Sequence, residues 1–168
     1  PAQNIVYADV DGNIGYQMPG NVPIRAKGDG TVPVPGAGEY EWTGYIPFDE
    51  LPFVYNPPTH FVATANQAVV PPTYKYLITT DWAAPYRKQR IDDLLKAKDK
   101  LSIDDIKAIQ GDVYSIPLVQ LQKFVAAIQP DSFLQQRAMD QVKSWDGRLT
   151  TDTVGGTIVA VTLEKLVD

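Results

Sequence analysis

The distribution of proline divides this chain into two parts with different folding possibilities. Eleven of the 14 prolines precede Trp82. Proline is disfavoured in helix interiors and central strands because it lacks a backbone N–H and has a fixed φ. The later part instead carries Leu, Ile, Lys and Asp at helical spacing. We therefore expect residues 1–80 to form a β-rich part with a long Pro/Gly loop, and residues 81–168 to form a helical part.

Composition excludes several kinds of partner and chemistry. The net charge of -5 argues against nucleic-acid binding, and no apolar run approaches the length of a membrane span. The chain has no cysteine and a single histidine, His60, so cysteine nucleophiles and multi-histidine zinc sites are impossible. None of its four serines lies in a Gly-x-Ser-x-Gly turn. Serine–histidine catalysis within this chain is therefore not expected.

The first part contains clear strand patterns. Residues 4–18 predict a β-hairpin whose two-residue turn is Asp11-Gly12. Its first strand carries apolar side chains on both faces, which is typical of a strand covered on both sides in a layered sandwich. Residues 40–46 suggest a short strand, and residues 60–65 suggest another that ends at Asn66.

The second part predicts four or five helices, and hence an α+β fold. The first helix covers residues 85–98, and the second begins at a Ser102–Asp105 capping box and ends at Gly111. An apolar stripe over residues 118–128 ends before Pro130, and a further helix over 133–145 has Gly147 as its expected cap. Residues 157–166 fit either a strand, by their Val, Ile and Thr content, or a helix.

Two polar residues are the leading candidates for chemistry. Arg87 lies four residues before Ile91, on the apolar face of its helix, where it either extends to solvent or provides a fixed positive charge in a site. Arg90 is expected to be a solvated or interface charge. Asn66 either forms a turn or donates a hydrogen bond to a developing oxyanion.

Other polar and aromatic residues have simpler interpretations. Asp9 and Asp11 share a strand face, as a hairpin edge or as a carboxylate pair. Asp29, between two glycines, is a weak calcium candidate, and His60 is expected to be structural. A group of aromatic residues either packs the long loop against the sheet or lines an acyl pocket: Trp42, Tyr45, Phe48, Phe53 and Tyr55.

Several stretches occur in an order that is informative as a set. In the first part they are NIVYADVDGNIGY at residues 4–16, IR at 24–25, PVPG at 33–36, WTGYIPF at 42–48, NP at 56–57 and ATAN at 63–66. In the second part they are Trp82, Arg87, RI at 90–91, LL at 94–95 and WDG at 145–147. In this order they resemble the β-subunit of the penicillin acylase (penicillin amidase) family. These N-terminal-nucleophile (Ntn) hydrolases also include acyl-homoserine-lactone acylases.

The resemblance implies a fold and a reaction. The fold would be part of the αββα sandwich of Ntn hydrolases. The reaction would cleave a linear amide, of the penicillin or acyl-homoserine-lactone type, through an acyl-enzyme on an N-terminal nucleophile exposed by self-cleavage of a zymogen. The α-amino group of that nucleophile, with a pKa of about 7.7–8.0, would act as the base. Asn66 would be an oxyanion donor, and Arg87 would position it.

The resemblance also implies what surrounds the chain. Pro1 has no hydroxyl, so the nucleophile is none of these residues, and we expect the chain to be an inactive fragment of a longer hydrolase. Its partners would be the α-subunit, the remaining β-subunit and a small acylated amide. A periplasmic or secreted location and a role in antibiotic biosynthesis or resistance would follow.

No cofactor is expected. Some family members bind calcium through an aspartate shortly before the tryptophan of the Arg-bearing helix, and Tyr76 falls near that place, which makes the same ligand set doubtful here. Two alternatives remain open. One is a non-catalytic binding or structural module that keeps the acylase scaffold, and the other is Pro1 as a catalytic secondary amine.

Overall fold

The computed structural model describes residues 2–167, and the chain falls into two compact units. The first comprises Pro1–Lys88 and the second Gln89–Asp168. The strands lie in the first unit and the helices lie chiefly in the second, which confirms the α+β prediction. Composition changes near residue 80, whereas the boundary between the units falls inside the first helix.

The first unit contains a three-stranded antiparallel sheet. Its strands are β1 (Ile5–Ala8), β2 (Ile14–Gln17) and, later in the chain, β5 (Phe53–Tyr55), and β2 lies in the centre. Ala8 pairs with Ile14, and Gly15 pairs with both Tyr7 and Tyr55. A Cβ at Gly15 would lie 2.1 Å from a ring carbon of Tyr7, so a residue without a side chain is required for this ring to lie across β2.

The predicted two-residue turn of the hairpin is wrong, because the loop runs from Asp9 to Asn13. Asp9 donates its backbone N–H to the Asn13 carbonyl at 3.0 Å. The Asp9 carboxylate accepts bonds from the backbone N–H groups of Asp11 and Asn13 and from the Asn13 side chain. These bonds, those from Asn13 first, lower the pKa of Asp9. Asp9 therefore organises this loop and is part of a hairpin edge.

A second, two-stranded sheet lies farther along the first unit. It pairs β3 (Pro23–Arg25) with β4 (Trp42–Tyr45), and a short 3₁₀ helix (Phe48–Glu50) follows. The sequence predicted β4 but not β3 or β5. The core of this unit is formed by one buried residue of β2 and by buried apolar residues next to the strands: Tyr16, Met18, Val22, Ile46 and Leu51.

The strand predicted over residues 60–65 does not form. His60 has a φ of 59° and Asn66 a φ of 63°, and these left-handed conformations interrupt an extended backbone at both ends of the segment. Its apolar pattern instead places Val62 against the core of the first unit and buries Ala65.

Five helices follow: α1 (Tyr86–Lys96), α2 (Ile103–Gln110), α3 (Ile116–Val125), α4 (Phe133–Ser144) and α5 (Val154–Val167). The capping box of α2 is confirmed, since Ser102 and Asp105 exchange side-chain-to-backbone hydrogen bonds at 3.1 and 2.9 Å. The ambiguous run at 157–166 is helical. Within the described residues, no helix combines the length and apolar character that crossing a membrane requires.

Gly147 does not cap α4 as predicted. The helix ends at Ser144 with an extended Trp145, while Gly147 has a φ of 91° in the following turn. A Cβ on Gly147 would lie 2.4 Å from the ring of Tyr114, which packs against this turn. The core of the second unit gathers buried residues from α3, α4, the residue that follows α4, and α5: Leu118, Val125, Val142, Trp145 and Val159.

The predicted two-sided cover of β1 is not provided by this chain. Ile5, Val6 and Tyr7 are 49%, 51% and 44% exposed.

Because β1 is also an edge strand, the 168-residue chain on its own is expected to self-associate. Size-exclusion chromatography with light scattering should show species above the 18.5 kDa monomer. Val6→Lys should reduce them, and a monodisperse wild-type monomer of high melting temperature would contradict this expectation.

Candidate active site

The structure brings Asn66 and Arg87 into direct contact. Arg87 Nη2 donates a hydrogen bond to Asn66 Oδ1 at 2.9 Å, across 21 residues of sequence. Both side chains lie on the surface of this chain. The bond from Arg87 occupies the amide oxygen as an acceptor. The two hydrogens on Nδ2, the only donors of this amide, are left to bond elsewhere. A neighbouring cation also polarises the amide, which makes Nδ2 a stronger donor.

The backbone around Asn66 is held on both sides. Its φ of 63° is in the left-handed region, which asparagine tolerates better than most residues. Its carbonyl accepts from Ala83 N at 2.9 Å, and the preceding N–H, that of Ala65, donates to Gln67 Oε1 at 2.7 Å. The amide of Asn66 is thus presented from a fixed and uncommon backbone conformation.

Arg87 lies in the first turn of α1, immediately after Pro85-Tyr86. A cation is disfavoured at a helix N-terminus, where the helix dipole is positive, so the dipole does not account for an arginine here. Its hydrogen bond to Asn66 does give the guanidinium a defined partner. The exposed guanidinium and its bond to Asn66 are compatible with both roles that its spacing left open.

Arg90 makes an ion pair within this chain, which the expectation of a solvated charge did not include. Its Nε and Nη2 donate to the two carboxylate oxygens of Asp112 at 2.7 and 3.0 Å. Its guanidinium lies 4.5 Å from the Tyr114 ring centroid, and Arg148 also approaches Asp112 at 3.5 Å. Only 11% of the Asp112 side chain is exposed, and the bonds from Arg90 lower its pKa. Arg90 is therefore an internal ion-pair residue of the second unit.

The remaining candidates have structural environments. Asp29 accepts from the backbone and hydroxyl of Thr31 at 3.0 and 2.6 Å, which forms a local turn and lowers the pKa of Asp29. His60 lies in a turn closed by a bond from its N–H to the Pro57 carbonyl. Pro1 lies outside the described residues.

The five aromatic residues with two possible roles are largely exposed, which does not favour packing of the long loop against the sheet. Each is more than half exposed in this chain: Trp42, Tyr45, Phe48, Phe53 and Tyr55. Trp42 and Tyr45 contact one another edge to face, with ring centroids 6.2 Å apart. Lining a pocket completed by other parts of a protein remains their alternative role.

The residues around Tyr76 do not fit a calcium site. A calcium ligand at this place must supply an oxygen, preferably charged. The Tyr76 hydroxyl instead donates its hydrogen to Glu50 Oε2 at 2.6 Å, and the ammonium of Lys75 pairs with the same oxygen. A positive side chain therefore already neutralises the nearby carboxylate.

Asn56, which the sequence did not single out, connects the end of β5 to the hairpin loop. Its Oδ1 accepts from Ile14 N at 2.9 Å, and its Nδ2 donates to Asn13 Oδ1 at 2.8 Å. These bonds join the end of β5 to the hairpin loop, and Asn56 itself has a φ of 42°. The Asn-Pro pair signalled a turn, but no local pattern reveals a partner more than 40 residues away.

The chain is similar in sequence to members of a known family. The family model described as Penicillin amidase matches residues 1–168. Penicillin acylase 2 proenzyme of Pseudomonas sp. (strain SE83) is 36% identical over 148 residues, which are 87% of this chain and 19% of that relative. Acyl-homoserine lactone acylase QuiP of Pseudomonas fluorescens (strain Pf0-1) is 28% identical over 178 residues, covering 98% of this chain and 22% of that protein.

A solved structure gives a similar result. The thermostable penicillin G acylase from Alcaligenes faecalis superimposes with a TM-score of 0.67 at 28% identity, covering 89% of this chain and 28% of that chain. This chain spans 19% and 22% of the two curated relatives above, about a fifth of their length.

Proposed function

This chain belongs to the penicillin amidase family, and on that premise we propose that it is the segment of a linear-amide hydrolase that supplies an oxyanion donor, Asn66, and the residue that positions it, Arg87. The observation that carries the proposal is the hydrogen bond from Arg87 Nη2 to Asn66 Oδ1. It engages the Asn66 amide oxygen as an acceptor and leaves the Nδ2 hydrogens to donate to the substrate.

The proposed reaction is acyl transfer. A nucleophile supplied by another segment attacks the carbonyl of the substrate amide, and the carbonyl oxygen becomes negatively charged. Asn66 Nδ2 donates to that oxygen in the tetrahedral intermediate, where the bond is stronger than in the ground state. The intermediate collapses by breaking the C–N bond, and the leaving amine takes the proton removed from the nucleophile. Water then releases the acid from the acyl-enzyme by the same route.

The nucleophile is proposed to be the first residue of a processed subunit. Its α-amino group has a pKa of about 7.7–8.0, so it can accept the proton near neutral pH without a histidine. The full protein would then be a proenzyme that cleaves itself, with an α-subunit and further β-subunit segments around this one. We also propose a periplasmic or secreted location, and no catalytic activity for this chain alone.

The substrate is proposed to be an acyl chain joined to an amine. The names of the relatives point to penicillins and to acyl-homoserine lactones. Asn66 and Arg87 act on the amide group that these two classes share. Choice between them would depend on the pockets for the acyl chain and the amine.

The deciding experiment is expression of the full-length gene followed by intact-mass analysis. Self-cleavage into two subunits, with Ser, Thr or Cys as the new N-terminal residue, is the expected result. An acylating probe should then label that residue, and a chromogenic acyl-amide should be hydrolysed. An intact protein that neither cleaves nor labels would indicate a scaffold without the chemistry.

Replacing Arg87 should lower turnover without preventing substrate binding. Because Arg87 acts through Asn66, Arg87→Met should reduce kcat by up to about 100-fold, the scale of a 1 Å misplacement. Arg87→Lys should recover only part of this, since lysine lacks the planar guanidinium. Steady-state kinetics on the full-length enzyme measure both variants. Arg137→Met, at an exposed arginine that lies over the Phe133 ring, is the matched control, and equal losses in the two would contradict the role of Arg87.

A further inference from the structure

The segment from Asn66 to Ala83 is a loop whose two ends meet at the candidate site. Residues 66–83 are all described and form neither helix nor strand. Ala83 N donates to the Asn66 carbonyl at 2.9 Å and closes the loop. Arg87, shortly after this neck, holds the Asn66 side chain. Apart from the closing bond and one backbone bond from Tyr74 N to the Pro71 carbonyl, the loop is held by contacts of its own side chains.

Three consecutive residues in the middle of this loop converge on Glu50. Tyr74 Oη donates to the Glu50 carbonyl at 2.8 Å, and Tyr76 Oη donates to Glu50 Oε2 at 2.6 Å. Lys75 Nζ pairs with that same carboxylate oxygen and lies 4.8 Å from the centroid of the Tyr76 ring. The rings of Tyr74 and Tyr76 contact edge to face at 5.8 Å. We call Glu50 with residues 74–76 the Glu50 clamp.

Glu50 lies next to the core of the first unit. It ends the 3₁₀ helix, its N–H donates to the Pro47 carbonyl at 3.0 Å, and the next residue, Leu51, is only 2% exposed. The carboxylate stays ionised at neutral pH, because the bonds from Lys75 and then Tyr76 lower the pKa of Glu50. The hydroxyl of Tyr76 therefore makes a charge-assisted bond to a fixed acceptor.

We propose that Glu50 is a positioning residue for amide hydrolysis, whose clamp on Tyr74, Lys75 and Tyr76 holds the neck of the loop and so orients Asn66. The inference rests on the proposed function. Asn66 has a sparsely populated left-handed backbone, and such a conformation persists only where its surroundings determine it. Releasing the middle of an 18-residue segment without secondary structure returns conformational freedom to its ends.

The test uses the full-length enzyme with two variants of the clamp. Glu50→Ala removes the acceptor, and Tyr76→Phe removes one hydroxyl but keeps the ring against the core. Each should lower kcat about 10-fold, less than the roughly 100-fold of a 1 Å misplacement, with KM changed less than about twofold. The double variant should be no worse than Glu50→Ala, because both break one clamp. Lys75→Arg, which keeps the charge, should retain most of the activity.

A second readout separates positioning from general loss of structure. Hydrogen exchange at residues 66–83 should become several-fold faster in Glu50→Ala than in wild type, with the sheet amides unchanged. Glu39→Ala is the matched control, since Glu39 also pairs with a lysine, Lys27, at 3.6 Å outside this loop. It should change neither kcat nor exchange at 66–83.

Three results would overturn the proposal. They are a kcat of Glu50→Ala within about twofold of wild type, a rise in KM alone, and a kcat loss with unchanged exchange at residues 66–83. A processed wild-type enzyme that shows no amide hydrolysis would instead reject the proposed function, and the positioning role with it. An active wild type whose clamp variants behave as Glu39→Ala does would reject only the clamp.

Discussion

Asn66→Ala in the full-length enzyme is expected to lower kcat by about 100- to 1000-fold, the range measured when one oxyanion donor is removed. KM should change little, because the bond from Nδ2 strengthens only as the carbonyl oxygen becomes negatively charged. The amide also provides the acceptor for Arg87, so Asn66→Ala combined with Arg87→Met should be little worse than Asn66→Ala alone. Steady-state kinetics with a chromogenic acyl-amide measure all three enzymes.

Backbone strain is the competing explanation for such a loss, and two further variants distinguish it. Asn66→Gly removes the donor but relieves the left-handed φ, and it should be as inactive as Asn66→Ala. His60→Ala places alanine at a similar φ of 59° without touching the amide, and it should keep most of the activity. An Asn66→Gly enzyme with wild-type turnover would show that the amide does not act on the oxyanion.

The elements that the sequence predicted well are those determined by neighbouring residues. The hairpin strands, the capping box at Ser102 and the helical periodicity of α1 depend on contacts within a few residues. The strand predicted over 60–65 failed because a strand forms only with a partner, and pairing is set by distant residues. Its apolar residues instead contribute to burial, with Val62 against the core and Ala65 buried.

The site was only partly predictable for the same reason. Asn66 and Arg87 stood out as a polar residue at a predicted strand end and a charge on an apolar helix face, and the family resemblance suggested their roles. Their contact across 21 residues has no local signature, nor does the contact of Glu50 with Tyr76 across 26. Such contacts follow from the packed arrangement of the whole unit, which no window of sequence contains.

The last helix shows how packing decides between two local preferences. Val, Ile and Thr over residues 157–166 favour a strand, yet α5 forms and buries Val159 completely. Gly155 permits this, because it lets α5 approach the end of α4. A Cβ added there would lie 2.2 Å from the Gln141 carbonyl oxygen and 2.8 Å from Cβ of Trp145.

Gly155→Ala is therefore expected to destabilise the second unit by about 2–3 kcal/mol, the upper range for an added methyl group in a packed core. Alanine gains roughly 1 kcal/mol in helix propensity over glycine, but a clash with a backbone oxygen cannot be relieved by a side-chain rotation. The helix must move, and the burial of Val159 decreases. Hydrogen exchange of the α4 and α5 amides in the full-length protein, together with thermal unfolding of the 168-residue chain, measures the loss.

Gly111→Ala is the matched control for this prediction. Gly111 ends α2 with a φ of −91°, and an added Cβ would meet nothing closer than the Lys107 carbonyl oxygen at 3.6 Å. The same substitution there should be neutral, or stabilising by about 0.4–1 kcal/mol through the lower entropy of the unfolded chain. If the two variants prove equally stable, α5 does not need a glycine at its contact with α4, and the close approach of these helices would not be the reason that a β-branched sequence is helical here.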